Sequence, residues 1–346
     1  MQYYFPSIIP SLQSVESSSG DLPFSVNSGE NGIRLLLRSY KLPEGSRVVL
    51  PLFVCDSLKT AVLKEGLCPV YLDLKNDGTC WSDYHPDLLT SLSVSAVILV
   101  HLYGFIHPDT HAVMDFCRER KLPLLHDAAQ SFGLDEAKLS YSSGIVYSFG
   151  PGKSSTAAGG AIVKGITDVF YRERVAKPAR VQSLRASLFL KSRLYGYTLA
   201  WSDKLLQKLI GPLQQDDKIR EASAFQKKAA GLAMKLVKEQ QSARNKHYKL
   251  LCSALEKSKM ATVIATGVDG INFKLILQTN SSAFPDYLHQ HQVPFFSLYS
   301  SLHIGKEFFE KNPNFLKHAH SFIELSTEAS LPEQEVERIA EVLSKA

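Results

Sequence analysis

Between residues 30 and 165, short uninterrupted apolar runs alternate with segments whose apolar residues recur at helical spacing. No other property of the chain constrains its fold as tightly. Val48 to Leu50, Pro69 to Leu74, Ala96 to His101 and Leu122 to Leu125 read as strands; Ile33 to Tyr40, Asp56 to Glu65 and His111 to Arg120 read as helices. Strands that are apolar on both faces must be covered on both sides, as the crossover helices of a parallel sheet do. The expected class is therefore α/β, with a mainly parallel mixed sheet. With 346 residues and 45% hydrophobic content the chain can bury one large core and a smaller one. A large domain over 1–230 and a small α/β domain over 231–346 are expected. In the latter part Ala224 to Lys257 reads as one long helix, Ile271 to Gln278 as a strand, and Phe284 to Gln292 and Pro332 to Lys345 as helices.

Ligands of such sheets bind beyond the carboxyl ends of the strands. There the chain carries Leu125-His126-Asp127-Ala128-Ala129-Gln130, then Tyr147-Ser148-Phe149-Gly150-Pro151-Gly152-Lys153, then Gly159-Gly160. A strand-end carboxylate followed by a Gly/Pro-interrupted loop bearing one lysine suits pyridoxal phosphate. That cofactor draws electrons through its ring only while the ring nitrogen stays protonated, and a lysine amine must hold its aldehyde until a substrate amine displaces it. Asp127 would pair with the ring nitrogen and Lys153 would bind the aldehyde. Gln130 could turn back to the ring hydroxyl, and Ser148 could donate to the phosphate.

At these residues the sequence resembles the DegT/StrS family of sugar aminotransferases, in the order Asp127, Gln130, Ser148, Lys153, Gly159-Gly160. The likeness continues upstream in Ser28-Gly29-Glu30-Asn31-Gly32-Ile33, at the place of the family's phosphate turn, in Val48 to Val54, and in Val100-His101-Leu102-Tyr103-Gly104. Downstream it continues in Ser223-Ala224-Phe225-Gln226 and Ser301-Leu302-His303. The resemblance implies fold type I of the pyridoxal phosphate-dependent aminotransferases, with Gly29, Glu30 and Asn31 at the phosphate and Phe53 against the pyridine ring. It brings His303 and Tyr103 toward substrate. It further implies transfer of an amino group from a donor such as glutamate to a keto sugar, nucleotide-linked, by a homodimer. A dehydratase of the same family and a noncatalytic homologue retaining the fold are the alternatives. Two departures stand out. Glu30 replaces the family's phosphate-binding threonine, so its carboxylate must turn away for the turn to accept a dianion. The family's Asn-Tyr-Arg-Met segment, through which a partner subunit reaches the phosphate, is replaced by Lys218-Ile219-Arg220-Glu221.

Composition narrows the rest. Five scattered cysteines without a Cys-x-x-Cys pair suggest neither a disulfide framework nor a zinc site, and fit a reducing cytoplasm. The first residues lack the basic and apolar regions of a signal peptide, and the longest apolar stretch, Ala96 to Ile106, is too short to cross a bilayer. Ser28 to Gly32 lacks a Walker lysine and a complete Gly-x-Gly-x-x-Gly, which excludes ATP or NAD binding on that basis. A net charge of +5 is a mildly basic surface, compatible with anionic substrates but giving no reason to expect nucleic acid. Residues 167–218 diverge: Arg172, Arg174, Lys177, Arg180, Arg185, Lys191 and Arg193 are nearly unopposed by acids, and Leu184 to Leu199 and Ser202 to Ile210 have helical spacing. Solvated helix faces account for that pattern; a substrate, partner or membrane surface is the alternative.

Overall fold

The computed structural model describes residues 22, 24–77, 79–150, 152–155, 157–179, 182–183, 186–187, 217–264, 270–297, 312–318, 321–327 and 331–346. Among them, seven strands form one sheet: β1 (Ser25–Val26), β2 (Arg47–Pro51), β3 (Cys68–Leu72), β4 (Ala96–Val100), β5 (Leu124–Asp127), β6 (Gly144–Ser148) and β7 (Ala161–Lys164). Their order across the sheet is β1-β7-β6-β5-β4-β2-β3. The five strands from β3 to β6 run parallel, while β7 and β1 close the edge antiparallel. The fully buried runs of β4, β5 and β6 are the physical counterpart of their unbroken apolar sequence.

Helix α1 (Gly29–Ser39) decides where the sheet meets a ligand. Ser28 caps it by accepting from the Asn31 N–H at 3.2 Å. It then runs antiparallel to β6, and two glycines on its inner face permit the contact. A Cβ at Gly29 would lie 3.0 Å from Ser148 Oγ, and one at Gly32 would lie 2.9 Å from a Val146 methyl. One turn on, Leu36 covers Gly144. The amino end of α1 therefore sits at the carboxyl end of β6. Its outer side is fixed by buried charge: Arg34 Nε binds Glu65 Oε1 at 2.7 Å, just beyond helix α2 (Asp56–Lys64), and Arg38 Nε binds Glu65 Oε2 at 2.5 Å. Arg34 also reaches Asp217 Oδ2 at 2.8 Å and the Asp217 carbonyl at 3.1 Å.

Helices α3 (Pro86–Ser91), α4 (Thr110–Arg120) and α5 (Asp168–Arg174) follow in order. Two more, α6 (Ala224–Glu239) and α7 (Gln241–Leu255), occupy the stretch where the sequence predicts a single helix over 224–257. The break lies at Gln240. The two helices serve two different cores. Ala229, Ala230, Ala233 and Val237 of α6 pack with Ala128, Tyr147 and Phe149 beside the first sheet, whereas Leu251, Ala254 and Leu255 of α7 pack in the second. A domain boundary at residue 230 accordingly falls inside α6. The second core is built on strands β8 (Ala261–Val263), β9 (Lys274–Thr279), β10 (Phe296–Ser297) and β11 (Phe322–Ser326), antiparallel in the order β10-β11-β9-β8. Helices α8 (Phe284–Gln290), α9 (Pro313–His318) and α10 (Glu333–Ser344) complete it. The Asp73 carboxylate, just after β3, accepts from the Asn314 and Phe315 N–H groups at 2.9 and 2.8 Å and so seats the start of α9. The helical patterns read over 184–199 and 202–210 lie almost wholly outside the described residues.

Candidate active site

Asp127 is the last residue of β5 and is buried. Its Oδ1 accepts from the Ala129 N–H at 2.9 Å, which fixes the carboxylate at the strand end. Burial pushes its carboxyl above the ordinary carboxylate range; the Lys153 ammonium and the Ala129 N–H oppose that rise. The two residues singled out for the chemistry, 26 positions apart in the chain, are thus electrostatically coupled. The base of that loop is closed by Phe149, whose carbonyl accepts from Ala157 at 3.0 Å and Gly159 at 3.2 Å and whose N–H donates to the Gly160 carbonyl at 2.9 Å. On the far side, fully buried Arg244 of α7 donates from Nη2 to the Ser154 carbonyl at 2.9 Å.

Beside them lies an anion cradle. Helix α1 cannot satisfy its own first N–H groups. Asn31 N–H goes to the Ser28 cap, which leaves Gly29 and Glu30 to present theirs at the positive end of the helix, against Ser148. A side chain at Gly29 would fill the space next to Ser148 Oγ, and its absence is what keeps the cradle open. Asn31 itself is occupied: its amide donates to Asn27 Oδ1 at 2.7 Å and its oxygen accepts from Arg34 Nη1 at 3.1 Å. The turn offers an anion its backbone donors, and the Asn31 amide keeps one N–H besides. Glu30 points to Lys64, with Oε1 2.8 Å from Nζ, so the carboxylate is turned aside as the sequence required.

Gln130 accepts on Oε1 from the Tyr103 N–H at 2.8 Å, leaving its amide nitrogen with two donors. Tyr103 is buried with φ of 57°, a left-handed conformation costing a non-glycine residue about 1–2 kcal/mol. The Gln130 bond and the Gly104 carbonyl, which accepts from Ile271 at 2.8 Å, hold that turn in place. Phe53 is fully buried, its ring 5.4 Å from Phe322 and 6.1 Å from Phe315, which seats it in the hydrophobic core between the two sheets. His303 lies outside the described residues. Asp127, Gln130, Ser148 and Gly29 lie at the carboxyl edge of the sheet, with Lys153 in the loop that leaves it, and a ring nitrogen, a ring hydroxyl, a phosphate and an aldehyde would each find a group of suitable chemistry among them. The residues present fit pyridoxal phosphate.

Three further features go beyond the sequence reading, the first of them at the Ser223–Gln226 segment already noted there. Gln226 completes a capping box with Ser223 at the start of α6, and its Nε2 reaches the carbonyls of Asn27 at 3.3 Å and Ala158 at 3.4 Å, tying the cradle to the end of the lysine loop. The Ser-x-x-Gln spacing at 223–226 was a sufficient signal for the cap. Arg244 carried no such signal. The third is a buried imidazole pair: His101 Nε2 lies 2.9 Å from His126 Nδ1 with the rings stacked, and His101 Nδ1 accepts from the His107 N–H at 3.2 Å. His126, one residue before Asp127 on the strand, points to the opposite face of the sheet.

Burial pushes the His126 imidazole down to about 4, against the Tyr141 carbonyl. Burial does the same for His107, to about 4, with Asp109 opposing. His101 is held well below 6.5 by burial and by its two histidine neighbours. The unfolded chain, titrating near 6.5, therefore binds more protons than the folded one in acid. Stability is fully present above pH 6.5 and is lost as the pH falls from 6.5 toward 4, by about 3 kcal/mol each for His107 and His126 at the acid end. Thermal melts at pH 7.5 and pH 5 should show a marked fall in Tm that His126→Asn makes shallower; equal melting temperatures would contradict this account.

Comparison with known proteins agrees with the geometry. The model of the DegT/DnrJ/EryC1/StrS aminotransferase family matches residues 22–344. A UDP-N-acetyl-3-dehydro-alpha-D-glucosamine 3-aminotransferase of Acidithiobacillus ferrooxidans is 28% identical over 135 residues, 38% of this chain and 36% of that protein. A dTDP-3-amino-3,4,6-trideoxy-alpha-D-glucose transaminase of Streptomyces venezuelae is 28% identical over 163 residues, 45% of this chain and 42% of that one. The matched stretches thus span less than half of either relative. Among solved structures, ntda from Bacillus subtilis with bound cofactor PMP superposes with a TM-score of 0.66 at 18% identity, covering 92% of this chain and 72% of that one, which shows a shared fold.

Proposed function

The chain belongs to the DegT/DnrJ/EryC1/StrS aminotransferase family, and on that premise we propose that it is a pyridoxal phosphate-dependent aminotransferase moving an amino group from a donor such as glutamate to a keto sugar, nucleotide-linked. What carries this reading is the buried Asp127 carboxylate, electrostatically coupled to Lys153, at the strand edge that also bears the Gly29–Ser148 cradle. Bound there, pyridoxal phosphate supplies an electron sink for the carbon that carries the amine.

The chain's residues do the remaining work. Asp127, fixed by the Ala129 N–H, would pair with the protonated ring nitrogen, whose positive charge would keep the carboxylate ionised. Gln130, pinned through Oε1, keeps its amide N–H groups for the ring hydroxyl. The N–H groups of Gly29 and Glu30 and the Ser148 hydroxyl bind the phosphate. Lys153 Nζ would hold the cofactor's aldehyde and, once freed by a substrate amine, would be the group available to carry a proton to and from the substrate carbon. Retention of this lysine favours amino transfer over the family's dehydratases. The relatives' nucleotide-sugar names support a sugar acceptor, and the mildly basic surface suits an anionic one. His303 and Tyr103 near the acceptor, a large domain followed by a smaller one, a homodimer and a cytoplasmic location belong to the same proposal. All five cysteines are free, and no helix among the described residues is long and apolar enough to cross a membrane.

The test is a half-reaction. Purified protein given pyridoxal phosphate should develop a visible absorption band that collapses when glutamate is added and returns on adding a keto sugar nucleotide. A band that persists with every amino donor would favour the noncatalytic homologue, and no band would remove the cofactor assignment.

A further inference from the structure

Glu30 is the second residue of α1 and lies at the helix end that receives the phosphate in the reading above. A carboxylate in a first turn is attracted by the same unsatisfied N–H groups and the same positive helix end as a phosphate, so left to itself it competes for the cradle and repels a dianion. The structure supplies a counterweight. Lys64, the last residue of α2, places Nζ 2.8 Å from Glu30 Oε1 and 3.8 Å from Asp217 Oδ1. Asp217 is also held by Arg34 at 2.8 Å, and Glu65 is shared between Arg34 and Arg38. Among the described residues, Glu30, Glu65 and Asp217 beside the amino half of α1 are thus each matched to a cation.

We propose that Lys64 is a positioning residue that draws the Glu30 carboxylate out of the phosphate cradle, so that a chain with an acid in its phosphate turn still binds a phosphorylated cofactor. The inference rests on the cofactor reading above. An ordinary exposed ion pair, worth little to stability, would make no distinction between a phosphorylated ligand and its dephosphorylated form. A pair that guards an anion site does. Lys64 is 42% exposed, so its replacement leaves the core intact.

The test is a titration of apoprotein at low ionic strength with pyridoxal phosphate and, separately, with pyridoxal. Wild type, Lys64→Ala, Lys64→Arg, Glu30→Gln and the Glu30→Gln/Lys64→Ala double variant are compared. Lys64→Ala should weaken pyridoxal phosphate by about tenfold while leaving pyridoxal within about twofold, the scale of one partly screened charge beside a dianion. Lys64→Arg should keep the wild-type affinity, and the double variant should recover most of the loss. Unchanged affinity in Lys64→Ala would overturn the inference, as would an equal loss for both ligands. Failure of Glu30→Gln to restore binding would overturn it too, because Lys64 would then be a direct phosphate ligand. Wild type that binds neither ligand would instead remove the cofactor reading, and the inference with it.

Discussion

Replacing Lys153 with alanine is expected to lower amino transfer by about 10⁴-fold or more, because one side chain provides both the nucleophile and the proton carrier, and general acid–base help alone is worth about 10²–10⁴. The fold should survive. Arg244 holds the loop through the Ser154 carbonyl, a main-chain contact that the substitution leaves in place, and Phe149 still closes the loop base. Pyridoxal phosphate should still bind, since the cradle at Gly29 and Ser148 does not involve the lysine, but without the visible band of the wild type. Asp127 offers a second readout. Burial raises its carboxyl and Lys153 is the first of the groups opposing that rise, so loss of the ammonium should raise it further in the cofactor-free protein. Steady-state assays with glutamate, melting curves and a pH titration of Asp127 by isotope-edited spectroscopy would check all three. Activity within tenfold of wild type would mean that another amine does the chemistry.

The largest effect on stability is expected at Glu65. Its carboxylate is nearly inaccessible and serves Arg34 and Arg38 together, and the Arg34 side chain is only 2% exposed. Removing one partner from a buried pair costs about 3–5 kcal/mol because the remaining charge stays desolvated. Arg34 would keep Asn31 Oδ1 and Asp217, but the Asp217 side chain is 59% exposed and compensates weakly. Glu65→Ala should therefore lose about 3 kcal/mol in urea unfolding, near the lower end of that range. Because Arg34 also orders Asn31 and the Asp217 segment against α1, cofactor affinity should fall with stability. An effect below about 1 kcal/mol, the ordinary value for a surface pair, would show that Arg34 does not depend on Glu65.

Both expectations concern the same arrangement: an α-helix delivered to the carboxyl end of a parallel strand, with charge holding it there. Most of the strands involved were legible in the chain. Ala96 to His101 and Leu122 to Leu125 are apolar without interruption, and they become β4 and β5 within one or two residues at each end, because burial on both faces selects that composition. Asp127 and Lys153 stood out because a strand-end acid and a loop lysine framed by glycines form an unusual local pattern, and in the folded protein the two are electrostatically coupled. The helix predicted over 224–257 was legible as helix but not as two. Its turn at Gln240 is imposed by the separate cores that α6 and α7 serve, and no residue of the helix encodes both.

The sequence by itself therefore determined the central strands of the first sheet and the helices at 33–40, 56–65 and 111–120, and it singled out the acid, the lysine and the phosphate turn as candidates, since periodicity and short motifs are set by local backbone geometry. The tertiary structure alone decided that Gly29 lies on Ser148, that Gln226 ties Asn27 to Ala158, that Glu30 turns to Lys64 and that Arg244 reaches the loop of Lys153. Each of these joins residues 34 or more positions apart. Such contacts arise from how α1, α2, α6 and α7 pack on the sheet, and packing depends on the shape and charge of surfaces that no stretch of the chain carries alone.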